Sequence, residues 1–349
     1  MSIEKDKSLY YPWFDWLRGV LAVIVMFGHE GLLTWQHSGN FAVQIFFALS
    51  GWLIGRILLN LKPNELTTFY FNRAIRIWAP YFLALVLLIS VSAFRDPITT
   101  KWLEIVFYKA SFVYNLFGTP QLLQYMQAMP LQGTGSHFWS VNAEEQFYLI
   151  APLFLVLLRH PIARAQLTWF LIAAFAYWAD IYASIVLGVL ASVVQRKFKN
   201  NDERTCTLYM CAIGLTLTLL AFFSNLGYLK IAPLAAISIV LFLAAPGRRT
   251  HVGSIVGGMS YPLYLNHWIG IYVAHAVFKP FNMRDSASAH ILSFFLNIAL
   301  AVSLYWYLDR KLIVSRTTLF TRNRANVVTL ASYILICVGI GGGLLITAK

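Results

Sequence analysis

Arg18 and His29 stand eleven residues apart in FDWLRGVLAVIVMFGHE, residues 14–30, a stretch that is otherwise nearly all apolar. A permanent cation and a titratable ring are both costly to bury in such a setting. If the stretch is helical, eleven residues rise about 16.5 Å and turn back to within about 20°. Both side chains then lie on one stripe, Arg18 near one end and His29 well into a membrane. Ionisable groups at that depth face a bundle interior or a wet cavity, and they mark a pathway or a reaction site. An imidazole titrating near neutral pH suits proton transfer. The plainer alternatives are snorkelling for Arg18 and a hydrogen-bonded packing role for His29.

Further clusters carry chemical potential. In FNRAIRIWAPY, residues 71–81, Arg73 and Arg76 are one helical turn apart. Two guanidinium forks so placed suit a phosphate-rich ligand; the alternative is a flank that contacts anionic lipid. In GSHFWSVNAEEQFYLIAP, residues 135–152, Asn142 is placed to cap a helix with Glu145 at its third position. That leaves Glu144 to orient or charge-balance an imidazole such as His29. His137 and Glu144 are expected at the outer membrane face, opposite the arginine pair. In GGMSYPLYLNHWIG, residues 257–270, His267 lies near tyrosines and packing is its default role. In FFALSGWLIGR, residues 46–56, Ser50–Gly51 allows close helix approach, and no G-x-S-x-G elbow is present. Cys206, Cys211 and Cys337 lie in apolar runs without metal-like spacing, so no metal is expected.

The elements that must hold these residues are membrane spans. The 349 residues are 59% hydrophobic and 12% charged, against about 45–50% apolar and about 25% charged in soluble domains. A spanning helix needs roughly 20 apolar residues. Such runs occur at 14–33, 41–60, 78–94, 145–158, 166–179, 181–195, 206–223, 228–245, 254–278, 288–308 and 327–347. The expected fold is therefore all-α, a polytopic transmembrane helix bundle of about 10–11 spans, with residues 1–349 forming one membrane domain. A barrel would show alternating segments of about 10 residues instead.

The net charge of +13 is read as topology through the positive-inside rule, not as a nucleic-acid surface. The stretch 166–195 is one long helix or two short ones meeting at Asp180. Two helices and a cytoplasmic N-terminus put most of the 27 basic residues on the cytoplasmic side, including Lys5, Lys7, Arg159 and Lys199. Arg95, Lys101, Lys109, Lys230, Lys279, Arg284 and Lys349 then fall outside. The polar start MSIEKDKSLYYPW lacks a short apolar core and a cleavage site, so the first span is expected to be retained. Segment 62–77, KPNELTTFYFNRAIRI, reads as a cytoplasmic loop. Segment 95–143 reads as an outer stretch whose WLEIVFYKASFVYNLF forms an interfacial or re-entrant helix.

In this order the pieces resemble the acyltransferase-3 family of bacterial and eukaryotic membrane acyltransferases. The matches are D-x-L-R-G with a later histidine (Asp15, Leu17, Arg18, Gly19, His29), FFALSG at 46–51, and R-x-x-R followed by P-Y (Arg73, Arg76, Pro80, Tyr81). They continue with W-S-V-x-x-E-E-Q-F-Y (Trp139 to Tyr148) and S-Y-x-x-Y-L-x-H (Ser260 to His267). The resemblance implies transfer of an acyl group, commonly acetyl, from cytoplasmic acyl-CoA to a hydroxyl of an extracytoplasmic carbohydrate or glycolipid. Typical acceptors are lipopolysaccharide O-antigen and exopolysaccharide. It implies His29 and Glu144 as catalytic positions and Arg18, Arg73 and Arg76 as acyl-CoA contacts. Asp15, Ser50, Trp139, Ser140, Tyr264 and His267 support them.

The same resemblance implies a bacterial inner membrane protein with acetyl-CoA as donor, no metal, no nucleic acid and polysaccharide-assembly proteins as partners. The family's terminal E-x-P is replaced here by YWYLDRKL, with Asp309 at the glutamate position and no proline. Some relatives append an esterase-like domain. This chain ends after a final span, so any such step is expected from a separate protein. The rival class is a polysaccharide or lipid transporter or flippase. It would show repeat symmetry and paired broken helices, which the sequence lacks. A scaffold in an export complex is a third class, for which changes at His29 or Glu144 would be silent.

Overall fold

The computed structural model describes residues 10–158, 162–198 and 201–348. Lys5, Lys7, Arg159, Lys199 and Lys349, used in the charge argument, lie outside the described residues. Among the described residues the backbone is helical, with no strand. The helices in chain order are α1 (Pro12–His29), α2 (Ser38–Asn60), α3 (Leu66–Arg95), α4 (Thr100–Ala110), the single turns α5 (Tyr114–Phe117) and α6 (Leu122–Tyr125), α7 (Phe138–Pro152) and α8 (Gln166–Trp178). They continue with α9 (Ala183–Gln195), α10 (Asn201–Phe223), α11 (Tyr228–Leu243), α12 (His251–Phe278), α13 (Ala287–Leu304), α14 (Arg310–Leu319) and α15 (Arg322–Thr347).

Each apolar run read from the sequence overlaps a helix, although the run at 14–33 extends past the end of α1 at His29 and that at 228–245 past the end of α11 at Leu243. By length and composition, five helical stretches suffice to cross a membrane among the described residues: Ser38–Asn60, Pro63–Arg95, Glu203–Phe223, Ala287–Leu319 and Arg322–Thr347. The apolar helices α8, α9 and α11 are shorter.

The break inside 166–195 has a local cause. Asp180 and Tyr182 adopt left-handed φ values of 57° and 46°, a region that asparagine-like side chains tolerate best. Lys230 Nζ pairs with Asp180 Oδ1 at 2.8 Å. It also donates to the carbonyls of Tyr177 at 2.6 Å and Trp178 at 2.8 Å. A lysine thus satisfies orphan carbonyls at the end of α8, and the chain restarts as α9.

Two expectations fail here. Segment 62–77 is not a loop: after a turn at Pro63–Glu65, α3 runs unbroken from Leu66 to Arg95 and carries the arginine pair inside it. Asn142 is not a helix cap either. α7 begins four residues earlier, at Phe138, and Asn142 is interior and fully buried.

The chain packs as two compact units. The first comprises the residues up to Arg56 together with Ala165–Tyr261. Within it α8 packs on α9, α9 on α11, and α10 on α11. The Ser50–Gly51 expectation holds: a Cβ on Gly51 would stand 2.0 Å from the Ile185 carbonyl oxygen, and one on Gly188 would stand 2.3 Å from that of Ala48. Backbone meets backbone there, so no rotamer change relieves the clash. Gly51→Ala is expected to destabilise the protein by about 1–3 kcal/mol, measured as a lowered thermal midpoint in detergent.

The second unit comprises Ile57–Arg164 and Pro262–Lys349. Its spine is α3, against which α4, α7, α14 and α15 pack. Contacts along α3 act as an axial scale. Arg73 meets Tyr148, Trp78 meets Glu145, Tyr81 meets Asn142, and Ser92 meets Leu131. Residue numbers rise along α3 as they fall along the partner segment, so α7 runs antiparallel to α3. Arg73 and Tyr81 are about 12 Å apart along the axis at 1.5 Å per residue. Glu144 therefore lies near the level of the arginine pair, not on the opposite side of the membrane from it.

Candidate active site

Helix α1 starts on Pro12, whose fixed φ suits the first turn. It stays unbroken to His29, so Arg18 and His29 do share one stripe. The helix is shorter than the 14–33 expected. His29 is its last residue and is exposed, not sunk in the middle of a longer span. Gly31 follows with φ +75°. Arg18 Nη1 pairs with Asp15 Oδ1 at 3.5 Å, and Asp15 also accepts a hydrogen bond from the Tyr10 hydroxyl. A Cβ on Gly257 would stand 2.6 Å from Asp15 Oδ1, so α12 approaches closely at this residue. Asp15 therefore orients Arg18 and is itself fixed. Ser50 is half-buried in α2, beside the glycine contact.

The two arginines of α3 differ. Arg73 is half-buried, with its guanidinium 5.6 Å from the Phe69 ring centroid and 5.4 Å from that of Tyr148. Glu144 and Glu145 lie close enough to act on its charge. Tyr148 donates its hydroxyl to Glu144 Oε2 at 3.0 Å. Glu145 is 4% exposed and accepts from Trp78 Nε1 at 2.8 Å. Arg76, one turn on, is exposed and faces Asp309 closely enough to feel its charge. Asp309 ends a π-helical turn, Tyr305–Asp309, and is buried.

His137 and His267 form the second imidazole group. Their ring centroids are 4.5 Å apart, and both are buried. His267 Nδ1 lies 2.9 Å from the Tyr264 carbonyl and 3.3 Å from that of Leu263. Carbonyls only accept, so Nδ1 carries the proton and Nε2 the lone pair. His137 Nε2 faces the Leu265 carbonyl at 3.4 Å, which assigns the proton to Nε2 and the lone pair to Nδ1. The Tyr264 hydroxyl donates to the His137 carbonyl at 2.8 Å and accepts from Ser140 Oγ at 2.6 Å. Trp139 packs on the cluster of Ile105, Tyr108, Val113, Tyr114 and Met129. His267 is packed, as its sequence context suggests, with a second imidazole beside it.

Asn142 ties this region together. Its side chain accepts from the Tyr114 amide at 2.9 Å and donates to the Tyr81 hydroxyl at 2.9 Å. That hydroxyl in turn donates to the Lys109 carbonyl at 2.9 Å. Lys109 was not singled out by sequence, yet it is 1% exposed. It lies in α4, outside the spanning segments, and burial pushes its ammonium down to about 7 from 10.5. Between those values the unfolded chain holds a proton that the folded protein has released. Stability therefore rises with pH across the window and is flat below it. Wild type is expected to gain up to about 1.4 kcal/mol per pH unit between pH 7 and pH 10 relative to Lys109→Met. Paired thermal melts read the difference.

The acyltransferase domain profile of the acyltransferase-3 family matches residues 11–306. A Komagataeibacter xylinus protein named as a membrane-bound transacylase, BcsY, is 26% identical over 346 residues, covering 90% of this chain and 84% of its own. The peptidoglycan O-acetyltransferase OatA of Listeria monocytogenes is 29% identical over 214 residues, which cover 59% of this chain and 34% of OatA. The O-acetyltransferase OatA of Staphylococcus aureus is 26% identical over 219 residues, covering 60% and 35%. The match thus spans about a third of each OatA. No solved structure matches. The profile takes in Arg18, Arg73, Arg76, His29, His137, His267, Glu144 and Glu145, and five helical stretches of the described residues are long and apolar enough to cross a bilayer: the chain belongs to the acyltransferase-3 family of membrane-bound acyltransferases.

Proposed function

We propose that the protein moves an acyl group, acetyl in the first instance, from cytoplasmic acyl-CoA to a hydroxyl of an extracytoplasmic carbohydrate. The observation that carries the reading is α1, one unbroken helix that holds an oriented guanidinium at Arg18 and, about 16.5 Å along it, the accessible imidazole of His29. The names of the relatives, a transacylase and two O-acetyltransferases, point the same way.

Arg18, Arg73 and Arg76 bind the donor's phosphates in this reading. Arg76 is the exposed fork, and Arg73 is held by its aromatic neighbours as a fixed positive charge. His29 takes the proton of the acceptor hydroxyl as that oxygen attacks the thioester carbon. The C–S bond then breaks, and the CoA sulfur leaves with the proton from the imidazolium. Glu144 balances charge at the site. The His137–His267 pair, with its lone pairs fixed by backbone carbonyls, supplies further proton-handling groups. The protein is an integral protein of the bacterial inner membrane with a cytoplasmic N-terminus, working beside polysaccharide-assembly proteins.

The test gives the purified protein acetyl-CoA and bacterial glycan, following free CoA thiol together with the glycan mass. Thiol release with a short-acyl increment on the glycan supports the reading. Glycan movement across vesicles without acyl loss replaces the enzyme with a carrier.

A further inference from the structure

We infer that Lys109 is a positioning residue for the His137–His267 imidazole pair, through the backbone corner that carries His137. The inference rests on the acyl-transfer reading, which gives that pair its task.

Lysine is almost never fully buried unless its head group is partnered. Lys109 Nζ donates to the carbonyls of Gly135 at 3.1 Å and Thr134 at 3.3 Å. It also lies 4.8 Å from the Tyr114 ring centroid and 5.4 Å from that of Phe138. Thr134 and Gly135 come just before Ser136 and His137 in the chain, and Phe138 just after.

The corner they belong to is strained. Leu131, Gln132, Gly133 and Gly135 have φ of 46°, 52°, 82° and 75°. Left-handed backbone at non-glycine residues persists only where its surroundings enforce it, and such strain gathers at functional sites. Both ends of this corner are held. Asp96 Oδ2 and Ser92 Oγ accept from the Leu131 amide at 2.7 and 3.2 Å, and Lys109 closes the other end. The Lys109 backbone is tied to α7 as well, through Tyr81 and Asn142. The head group thus holds the residues just before α7, while the carbonyl reaches Asn142, four residues into that helix, through the Tyr81 hydroxyl. What that start presents is the His137 ring, edge-on to Tyr264 at 5.3 Å and beside His267.

Lys109→Met removes the donor at nearly constant volume. In protein labelled with 15N-histidine, the His137 ring resonances, assigned by their loss in His137→Gln, are expected to shift. KM for acetyl-CoA should stay within about twofold while kcat falls about tenfold or more, because small misplacements of reacting groups cost rate rather than ground-state binding. Lys109→Gln keeps one N–H donor, is expected to lie between, and serves if the methionine variant does not insert. Unmoved His137 resonances in the folded variant overturn the proposal whatever the turnover. Shifted resonances with wild-type kcat overturn it too, since the position would then not matter. If wild type transfers no acyl group, the acyl-transfer reading fails by itself. The resonances then decide alone whether Lys109 holds the imidazole pair.

Discussion

His29→Ala is expected to lower acyl transfer from acetyl-CoA by about 10²- to 10⁴-fold, the span that a positioned general base contributes. The loss should come without unfolding. His29 is exposed at the end of α1, so its removal opens no core cavity and breaks no helix. His29→Gln separates the two roles a ring can play. Glutamine keeps a donor and an acceptor but cannot take the proton at neutral pH, so it should be as inactive as alanine if the ring acts as a base. Both variants are scored on CoA thiol release, with detergent melts as the folding control. Wild-type turnover in either takes His29 out of the chemistry.

The arginine pair should split, although sequence treats its members alike. Arg76→Ala removes an exposed fork. Stability should fall by about 1 kcal/mol, because the buried Asp309 loses a nearby cation, while acetyl-CoA affinity falls about tenfold or more, as for loss of a charge-assisted bond. Arg73→Ala should also weaken the donor, but it leaves Glu144 and Glu145 near each other without their shared cation. Breaking one side of such a buried charge group costs up to about 3–5 kcal/mol, so this variant should melt far earlier. Calorimetric Kd for acetyl-CoA and thermal midpoints measure the two effects. Unchanged affinity in Arg76→Ala leaves only a lipid contact for that side chain.

What was legible in the sequence follows from range. Hydropathy is summed locally, so the long apolar helices were visible, while the polar α14 was not. The break at Asp180 was visible because charge placement demanded it, and Lys230 supplies the bond that enforces it. The start of α3 was missed because LTTFYFNRAIRIW mixes charge with aromatics and looks like a loop. Arg73 hides its charge by lying on two rings, one of them 75 residues away in sequence. The capping box at Asn142 and Glu145 was a plausible local pattern, but both side chains bond to distant residues, Tyr81, Tyr114 and Trp78. Lys109 left no signal at all. A lysine in an amphipathic helix gives no hint that two carbonyls 25 and 26 residues on will enclose it.

The π-helical turn Tyr305–Asp309, between α13 and α14, holds one residue more than a regular helix of the same rise. The surplus is absorbed within that turn, so the faces of both flanking helices keep the orientation they would have without it. The turn ends on the buried Asp309, close enough to Arg76 to feel its charge. The segment is a place where the chain tolerates a change of length. Excising one residue between 305 and 308 is expected to restore an ordinary helix while α13 and α14, with Asp309 at the start of the latter, keep their alignment.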